Sequence, residues 1–207
     1  AGAPLPGPAQ RMPRWLRQPL VHSYGRDVVS AIEAVQALAP PLDITPHGTT
    51  LPSAEALPTG SVRLAEPGQV SGLPGYASGD WWVQDAAAAL AAPLLGAKSG
   101  ETVLDLCAAP GGKTLQLAAT GAKVTALDIS APRMARVSEN LARTGLTAEI
   151  VVADALHWQP PALFDAILLD APCSATGTIR RHPELPFLKD GSELPELTAL
   201  QSALLDR

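Results

Sequence analysis

Apolar runs and helix-spaced segments alternate from about residue 84 to the end of the chain. The runs are short and rich in Val, Leu and Ile, as buried strands are, and between them apolar residues recur every three or four positions, as in amphipathic helices. The predicted strands are residues 102–107, 123–129, 148–154 and 164–170. The predicted helices are residues 84–95, 113–120, 130–144 and 192–207. This alternation predicts an α/β fold with a parallel, doubly wound sheet.

Start and stop signals flank several of these helices. Gly96, Gly121 and Gly145 follow three of them, where a left-handed residue commonly ends a helix. Ser130 precedes the third helix and Pro132 lies in its first turn, so we predict that Ser130 is its N-cap. Periodicity and end signals therefore indicate the same helices.

The first 80 residues follow a different pattern, rich in Pro and Gly and only weakly periodic. Residues 13–25 fit one short helix with Arg14 and Arg17 exposed, and residues 27–39 fit a second helix that stops at Pro40. Residues 59–79 read as short strands and turns. We therefore expect a small N-terminal α+β segment in residues 1–80, followed by the α/β domain in residues 81–207.

Composition limits where the chain works and what it binds. A hydrophobic share of 46% supports a core, and the longest apolar stretch, residues 86–97, is shorter than the roughly 20 residues that span a bilayer. With no signal-peptide pattern and only two cysteines, Cys107 and Cys173, we expect a cytoplasmic protein with no membrane association. A net charge of −5 argues against broad electrostatic binding to nucleic acid, although a local basic patch could still bind a defined RNA site.

Acidic residues stand at the ends of the predicted strands. The strands contain or end at Asp105, Asp128, Asp154 and Asp170, and Cys107 follows the first strand. Parallel doubly wound sheets bind ligands beyond the carboxyl ends of their strands. A single acid there could equally cap a helix or carry a surface charge, but several on successive strands predict a ligand site.

The stretch "DLCAAPGGKT" joins the first strand to its helix and allows three interpretations. A P-loop is disfavoured because Cys107 stands where its first glycine must be, and a dinucleotide fingerprint is disfavoured because only Gly111 and Gly112 are present. The third interpretation is S-adenosylmethionine. The loop would hold its methionine portion, Asp128 would bind the ribose hydroxyls, and Asp154 would accept from the adenine amino group.

At this point the motifs resemble a known family. The stretches "LDLCAAPGGKT", "ALDIS", "VVADA" and "ILLDAPCSATGTIRRHPE" are together similar to the RNA cytosine-5 methyltransferases that use S-adenosylmethionine. The extension through "TGTIRRHPE" looks most like the bacterial small-subunit ribosomal RNA methyltransferase B subfamily, also called the Fmu or Sun type. The resemblance is strong over residues 73–207 and looser over residues 13–41. It implies a Rossmann-like class I methyltransferase fold.

The resemblance also implies functional residues, a cofactor and a partner. The cofactor S-adenosylmethionine, and its product S-adenosylhomocysteine, would be bound by Cys107, Ala108, Ala109, Pro110, Gly111, Gly112, Lys113, Asp128, Arg133, Asp154, Ala155 and Asp170. Asp170 and Cys173 would be catalytic. Arg180, Arg181 and His182 would hold phosphates of ribosomal RNA, or else form a solvated turn. Residues 1–80 would be an accessory RNA-binding region. We expect a monomer with no metal site.

Methylation at carbon 5 of cytosine explains why a thiol is needed. That carbon is a poor nucleophile until a thiolate adds to carbon 6, so the chemistry requires an activated cysteine and a hydrogen bond at the N3 edge, a role that suits Asp170. In the family, the attacking thiol comes from a later Thr-Cys-Ser motif, and the position of Cys173 is thought to assist product release. The sequence has no cysteine after Cys173, so we expect a truncated methyltransferase domain that transfers no methyl groups by itself.

Three alternatives remain open from the sequence. Cys173 could itself be the nucleophile, or the chain could be an inactive module that binds cofactor or RNA. Methylation of an exocyclic amine is disfavoured because its usual loop has Pro-Pro-aromatic after the acid, whereas Cys173 follows Pro172 here.

Overall fold

The computed structural model describes residues 10–64 and 68–207, which cluster into two compact units. The helices are α1 (Arg14–Tyr24), α2 (Arg26–Gln36), α3 (Ala91–Leu95), α4 (Gly112–Ala119), α5 (Ala131–Thr144), α6 (Leu185–Leu188) and α7 (Leu194–Asp206). The strands are β1 (Leu42–Pro46), β2 (Glu55–Ala56), β3 (Val62–Leu64), β4 (Trp81–Val83), β5 (Thr102–Leu106), β6 (Lys123–Asp128), β7 (Glu149–Val152) and β8 (Ala166–Leu169). Short 3-10 helices cover Val70–Gly72, Ala88–Leu90 and Thr176–Thr178.

One unit, residues 41–172 with 203–207, contains the predicted parallel sheet. Its strand order is β7-β6-β5-β8, and each neighbouring pair is parallel, with Leu104 of β5 between Thr125 and Ile167. The chain moves outward from β5 to β7 and then returns to the other side of β5, so the order reverses between β5 and β8. Ligands bind at such a reversal, beyond the carboxyl ends of the strands. The predicted doubly wound α/β fold is confirmed.

The same unit contains an antiparallel sheet in the order β2-β3-β1-β4. Ile44 and Trp81 are buried at its centre, and the buried carboxylate of Asp43 accepts two hydrogen bonds from the Arg63 guanidinium, at 2.7 and 2.8 Å. The expectation of an N-terminal α+β segment is confirmed, although residues 65–67 of its predicted strand-and-turn region lie outside the described residues. The division into functional domains at residue 80 stays a prediction.

Two apolar clusters fix the parallel sheet against its helices. One consists of Trp82, Ala108, Ala109, Leu115, Ala126, Met134, Val137 and Leu141. The other consists of Ala92, Val103, Leu117, Ala118, Ala122, Val124 and Leu168. The first cluster includes two residues of the loop after β5, so packing of α4 and α5 also holds the loop that the sequence marks as a ligand site.

One helix prediction needs correction, and the N-cap prediction is confirmed for the position of Ser130. Residues 84–87 are not helical, and residues 88–95 form a 3-10 helix followed by the short α3, in which Pro93 has no N–H to donate and lies in the first turn. Ser130 is the N-cap residue of α5, but its side chain makes no capping hydrogen bond. Instead, its own N–H donates to Oδ1 of Asp128, so the acid at the end of β6 organises this turn.

The other unit, as far as the structure describes it, consists of residues 10–40 and 173–202 and contains the predicted helices α1 and α2. The buried carboxylate of Glu33 accepts from Arg17 Nε at 2.9 Å and from the Met12 N–H at 2.9 Å. The indole N–H of Trp15 donates to the carbonyl of Pro186, which ties α1 to α6. Arg17 is therefore an ion-paired, partly buried residue and not the exposed one that the sequence predicted.

No helix in the described ranges is both long and apolar enough to cross a lipid bilayer.

Candidate functional site

A tight loop follows β5 and leads into α4. Cys107 and Gly111 both have positive φ angles, 61° and 102°, which turn the chain sharply between the strand and the helix. A side chain at Gly111 would be strained by that φ, and its Cβ would lie 3.0 Å from Val137 of α5. Glycine therefore lets the loop lie directly against α5, with the first turn of α4 at its end.

Asp128, the last residue of β6, joins this loop to the neighbouring strand. Its carboxylate is only 3% exposed and accepts from the N–H of Ala109 at 3.2 Å and of Ser130 at 2.9 Å. Arg133 lies 3.7 Å from the same carboxylate and donates to the Ala109 carbonyl. The structure thus brings together three predicted cofactor residues, and Asp128 supports the loop as well as lying beside it.

Lys113 and Asp170 connect the two sides of the strand-order reversal. Lys113 is in the first turn of α4, Asp170 directly follows β8, and Lys113 Nζ lies 2.6 Å from Asp170 Oδ2. The lysine is 16% exposed and the aspartate 55% exposed, so the pair lies at the rim with the carboxylate open to solvent. This geometry fixes the position of Asp170 while one of its oxygens stays available.

Asp105 is buried beneath the loop, within β5. Oδ2 accepts from the Thr114 hydroxyl at 2.6 Å, whereas Oδ1 is buried without a hydrogen-bond partner in the described chain. Burial raises the pKa of Asp105 to about 6, and the Thr114 hydrogen bond and the charge of Lys113 only partly oppose this. The sheet edge therefore contains an acid that ionises near neutral pH.

Asp154 and Ala155 follow β7, and Asp154 organises its own turn. Its oxygens contact the Leu156 N–H at 3.0 Å and His157 Nδ1 at 2.9 Å. These contacts, the Leu156 N–H first, lower the pKa of Asp154. The carboxylate is 40% exposed, so contact with an adenine amino group stays a prediction.

The two cysteines differ in environment. Cys107 is partly buried in the loop, and burial raises the pKa of its thiol to about 11, with the nearby carboxylates of Asp128 and Asp170 adding to the shift. Cys173 belongs to the other unit and is exposed. A thiol that forms little thiolate is a poor nucleophile, so Cys107 is better suited to packing than to attack.

The predicted RNA-binding residues lie in the unit that contains α1 and α2. Arg180 donates from Nε and Nη2 to the carbonyls of Leu38 and Ala39, at 3.2 and 2.8 Å, just beyond the end of α2. Arg181 is exposed, and His182 Nδ1 lies 3.4 Å from a Glu184 oxygen. The three residues are adjacent in the chain, and the hydrogen bonds of Arg180 connect it to the segment that follows α2.

Comparison with known proteins places these motifs in a family. Residues 92–207 match the family model of the 16S rRNA methyltransferase RsmB/F, which covers more than half of the chain. The chain belongs to the RsmB/F methyltransferase family. Proteins named ribosomal RNA small subunit methyltransferase B from Sodalis glossinidius and Erwinia tasmaniensis are 43% and 44% identical over 95% of this chain. The chain spans only 43–44% of their length.

Solved structures agree with the family fold. The crystal structure of PH0851 superposes with a TM-score of 0.84 over 98% of this chain and 53% of that chain, at 27% identity. A methyltransferase homologue from Pyrococcus horikoshii has a TM-score of 0.71 and is 24% identical in sequence. The match covers 88% of this chain and 64% of that chain, and at this identity it supports a shared fold and nothing about function. The Rossmann-like methyltransferase fold is therefore confirmed for this RsmB/F family member.

Sequence reasoning missed several residues that support the site. Gln84 accepts from Thr45 and Trp82 and donates to Gln116 of α4, which ties the antiparallel sheet to the helix after the loop. Lys189 donates to the carbonyl of Ser174, next to Cys173. Local periodicity carries no signal for such long-range polar contacts. Within the described ranges, no group of three His, Cys, Asp or Glu residues is placed to hold a metal ion.

Proposed function

We propose that this chain contributes the cofactor-binding part of a methyltransferase that transfers a methyl group from S-adenosylmethionine to carbon 5 of a cytosine in small-subunit ribosomal RNA. The observation that carries the proposal is the convergence of the glycine loop, Asp128 and the Lys113–Asp170 pair at the strand-order reversal. Family membership supports the substrate class, and the names of the relatives support ribosomal RNA.

The residues at this edge fit S-adenosylmethionine. Gly111 lets the loop pack directly against Val137 of α5, and the first turn of α4 after the loop offers backbone N–H groups to a ligand. The carboxylates of Asp105, Asp128 and Asp170 give a negative environment that complements the sulfonium and ammonium charges of the cofactor. When bound, the cofactor supplies an electrophilic methyl group.

The roles of the side chains follow from their contacts. Asp128 holds the loop through Ala109 and would bind the ribose hydroxyls with its remaining acceptor capacity. Asp170, held by Lys113 and open to solvent, would contact the N3 edge of cytosine. Arg133 fixes the loop carbonyl of Ala109, and Asp154 and Ala155 would face the adenine. Flipping the target base out of its stack brings carbon 5 to this edge.

Covalent activation of the base requires a thiolate. The thiolate would add to carbon 6, and carbon 5 would then take the methyl group while S-adenosylhomocysteine is released. Carbon 5 would lose its proton to a water molecule or another base, and the thiolate would be expelled as the double bond re-forms. Family resemblance gives the attack to a later Thr-Cys-Ser motif, absent from residues 1–207, and gives Cys173 a role in release. Cys173 as the nucleophile is the second candidate, favoured over Cys107 because Cys173 is exposed.

Two measurements test this proposal. Calorimetric titration of the 207-residue chain with S-adenosylmethionine should show binding. Transfer of labelled methyl groups to unmodified 16S rRNA, with trapping by 5-fluorocytosine-substituted RNA, then tests the thiol assignment. We expect cofactor binding without transfer by this chain. Transfer with an adduct at Cys173 would make Cys173 the nucleophile, and failure to bind the cofactor would contradict the proposed function.

A further inference from the structure

A basic cleft lies on the unit that contains α1 and α2. It encloses about 420 Å³ and is lined by Arg11, Met12, Arg14, Arg17, Gln18, Val21 and Arg26. Four of these seven lining residues are arginines, although the whole chain carries a net charge of −5. From residue 10 to residue 40, only Asp27 and Glu33 oppose these charges in the sequence. The positive charge of this region is therefore concentrated at one place.

The cleft is held by specific contacts. The buried carboxylate of Glu33 binds Arg17 through both oxygens, at 2.9 and 3.4 Å, and also accepts from the Met12 N–H. Arg14 Nε donates to Gln18 Oε1 at 3.0 Å, one turn along α1. Two of the arginines are thus positioned before any ligand arrives, which reduces the entropy cost of binding.

Among the described residues, three of the four guanidinium groups have no acidic side chain as a partner. Arg17 is neutralised by Glu33, and the hydrogen bond of Arg14 is to a neutral amide. Within residues 10–64 and 68–207, Arg11 and Arg26 have no ion-pair or hydrogen-bonding side-chain partner, and both are exposed. The cleft therefore presents Arg11, Arg14 and Arg26 to an anion.

The geometry points to a phosphodiester backbone as the ligand. We infer that the cleft formed by Arg11, Arg14 and Arg26 binds backbone phosphates of the RNA substrate, an inference that rests on the proposed function. Guanidinium groups bind phosphate oxygens in a bidentate manner and stay charged at all relevant pH values. The described cleft lining contains no aromatic residue for base stacking, so its contacts position the RNA and read no sequence.

An acidic peptide and a membrane fit less well. Among the described lining residues the only apolar ones are Met12, which is buried, and Val21, so the cleft offers little surface for the apolar anchors of a peptide. Membrane-surface segments combine basic residues with large exposed apolar ones on the opposite face of a helix. On α1, the indole N–H of Trp15 is instead bound to Pro186. Backbone phosphates need no apolar contact, so they are the ligand that fits this cleft best.

The experiment is the salt dependence of RNA binding by the full 207-residue chain. The cleft variant is Arg11→Gln, Arg14→Gln, Arg26→Gln, and the probe is an unstructured oligouridylate. The control variant is Lys98→Gln, Lys123→Gln, Arg136→Gln, which removes the same charge from exposed residues of the other unit. Removing one phosphate contact should lower the slope of log affinity against log salt by about 0.7, so the cleft variant should show a slope lower by up to about 2.

The outcomes separate the cleft from the proposed function. A lower slope in the cleft variant, an unchanged slope in the control, and recovery when the three arginines are replaced by Lys would support the inference. If the slope of log affinity against log salt is the same in the cleft variant and the control variant, the inference is wrong. Stronger binding to phosphatidylglycerol vesicles than to RNA, abolished only in the cleft variant, would assign the surface to membranes instead. Titration with S-adenosylmethionine tests the proposed function independently, because the three arginines and the cofactor loop belong to different units.

Discussion

Lys113 and Asp170 form an ion pair, with Nζ and Oδ2 2.6 Å apart, across the point where the strand order of the parallel sheet reverses. Lys113 lies in the first turn of α4, after the glycine loop, and Asp170 directly follows β8. A ligand at this edge would contact the loops on both sides, so the pair links the residues that would hold the cofactor to the acid that would hold the base. This relationship leads to the first prediction.

Breaking this pair should have little effect on stability. We predict that a double-mutant cycle with Lys113→Gln and Asp170→Asn gives a coupling energy of about 0.2–1 kcal/mol in chemical unfolding, because Asp170 is half exposed and solvent screens the pair. A second cycle with Lys189→Gln and Glu193→Gln, whose Nζ and Oε1 lie 3.1 Å apart, is the matched control, because the hydrogen bond of Lys189 to Ser174 cancels in the coupling energy. A coupling energy well above this range would show that the pair is a structural element and not a positioning device.

Asp128 should be needed for cofactor affinity. We predict that Asp128→Asn weakens binding of S-adenosylmethionine by about 1.5–3 kcal/mol, the range for hydrogen bonds to a charged group. Asparagine keeps the shape and one acceptor for the Ala109 N–H, so this variant disturbs the loop less than alanine would. Calorimetric titration measures the change. The control is Asp165→Asn, which should bind normally because Asp165 precedes β8 and contacts Thr102 at the opposite end of the sheet. Unchanged affinity in Asp128→Asn would remove Asp128 from the site.

The sequence predicts the parallel sheet well because its strands are continuous apolar runs, and because glycines mark the ends of the helices between them. It also predicts that Asp128 and Asp170 lie at one edge, since the carboxyl ends of parallel strands share an edge. It does not predict the antiparallel sheet, in which the five-residue β1 pairs with β4, far along the chain, through Ile44 and Val83. The sequence also does not predict the contacts of Asp154 with His157 and of Arg180 with Leu38, because these contacts depend on turn geometry and tertiary packing.

Asp105 should make stability depend on pH. Its folded-state pKa of about 6 lies above its ordinary value of 3.8, so the folded protein retains a proton that the unfolded chain releases. The stabilisation is fully present below pH 3.8 and disappears as pH rises through about 6. The pKa difference corresponds to on the order of 3 kcal/mol.

Substituting Asp105 tests whether this residue causes the pH dependence of stability. Asp105→Asn, which can still accept from Thr114, should flatten the dependence of the unfolding free energy between about pH 4 and about pH 7. Asp165→Asn is the control of opposite sign: hydrogen bonds from the N–H and hydroxyl of Thr102 lower the pKa of Asp165, so its contribution disappears as pH falls. Urea unfolding between about pH 4 and about pH 7 measures the Asp105 effect, and urea unfolding below pH 3.8 measures the Asp165 effect. An unchanged pH profile in Asp105→Asn would contradict the assignment.

We expect the adjacent residues Arg180 and Arg181 to have different functions. Arg180 donates to the carbonyls of Leu38 and Ala39, so we predict that Arg180→Ala costs about 0.5–1.5 kcal/mol of stability. Arg181 is exposed, and the family resemblance implies that it contacts RNA phosphates, so Arg181→Ala should reduce RNA affinity and lower its salt slope by about 0.7. Thermal unfolding and RNA titration of both variants decide between the roles. If Arg180→Ala leaves the unfolding free energy unchanged but alters the salt slope, Arg180 is an RNA contact.

The two thiols should react at very different rates. Thiolate is the reactive form, and the pKa of about 11 leaves Cys107 with about 100-fold less thiolate at neutral pH than a thiol at the ordinary value of 9.0. Partial burial slows reagent access further, whereas Cys173 is exposed. We therefore predict that iodoacetamide at about pH 7.5 labels the exposed Cys173 first, and that it labels Cys107 at least about 10-fold more slowly than an unstructured cysteine peptide, as followed by peptide mass spectrometry.

Variants turn this difference into a test of the thiol assignment. Cys173→Ser should abolish the fast phase, and Cys107→Ser should leave it intact. If Asp128 contributes to the Cys107 pKa as its charge requires, Asp128→Asn should speed the slow phase, because removing a neighbouring negative charge lowers the cost of forming the thiolate. Fast labelling of Cys107 in the unmodified chain would show that the loop opens in solution, and Cys107 would then have to be considered beside Cys173 as a reactive thiol.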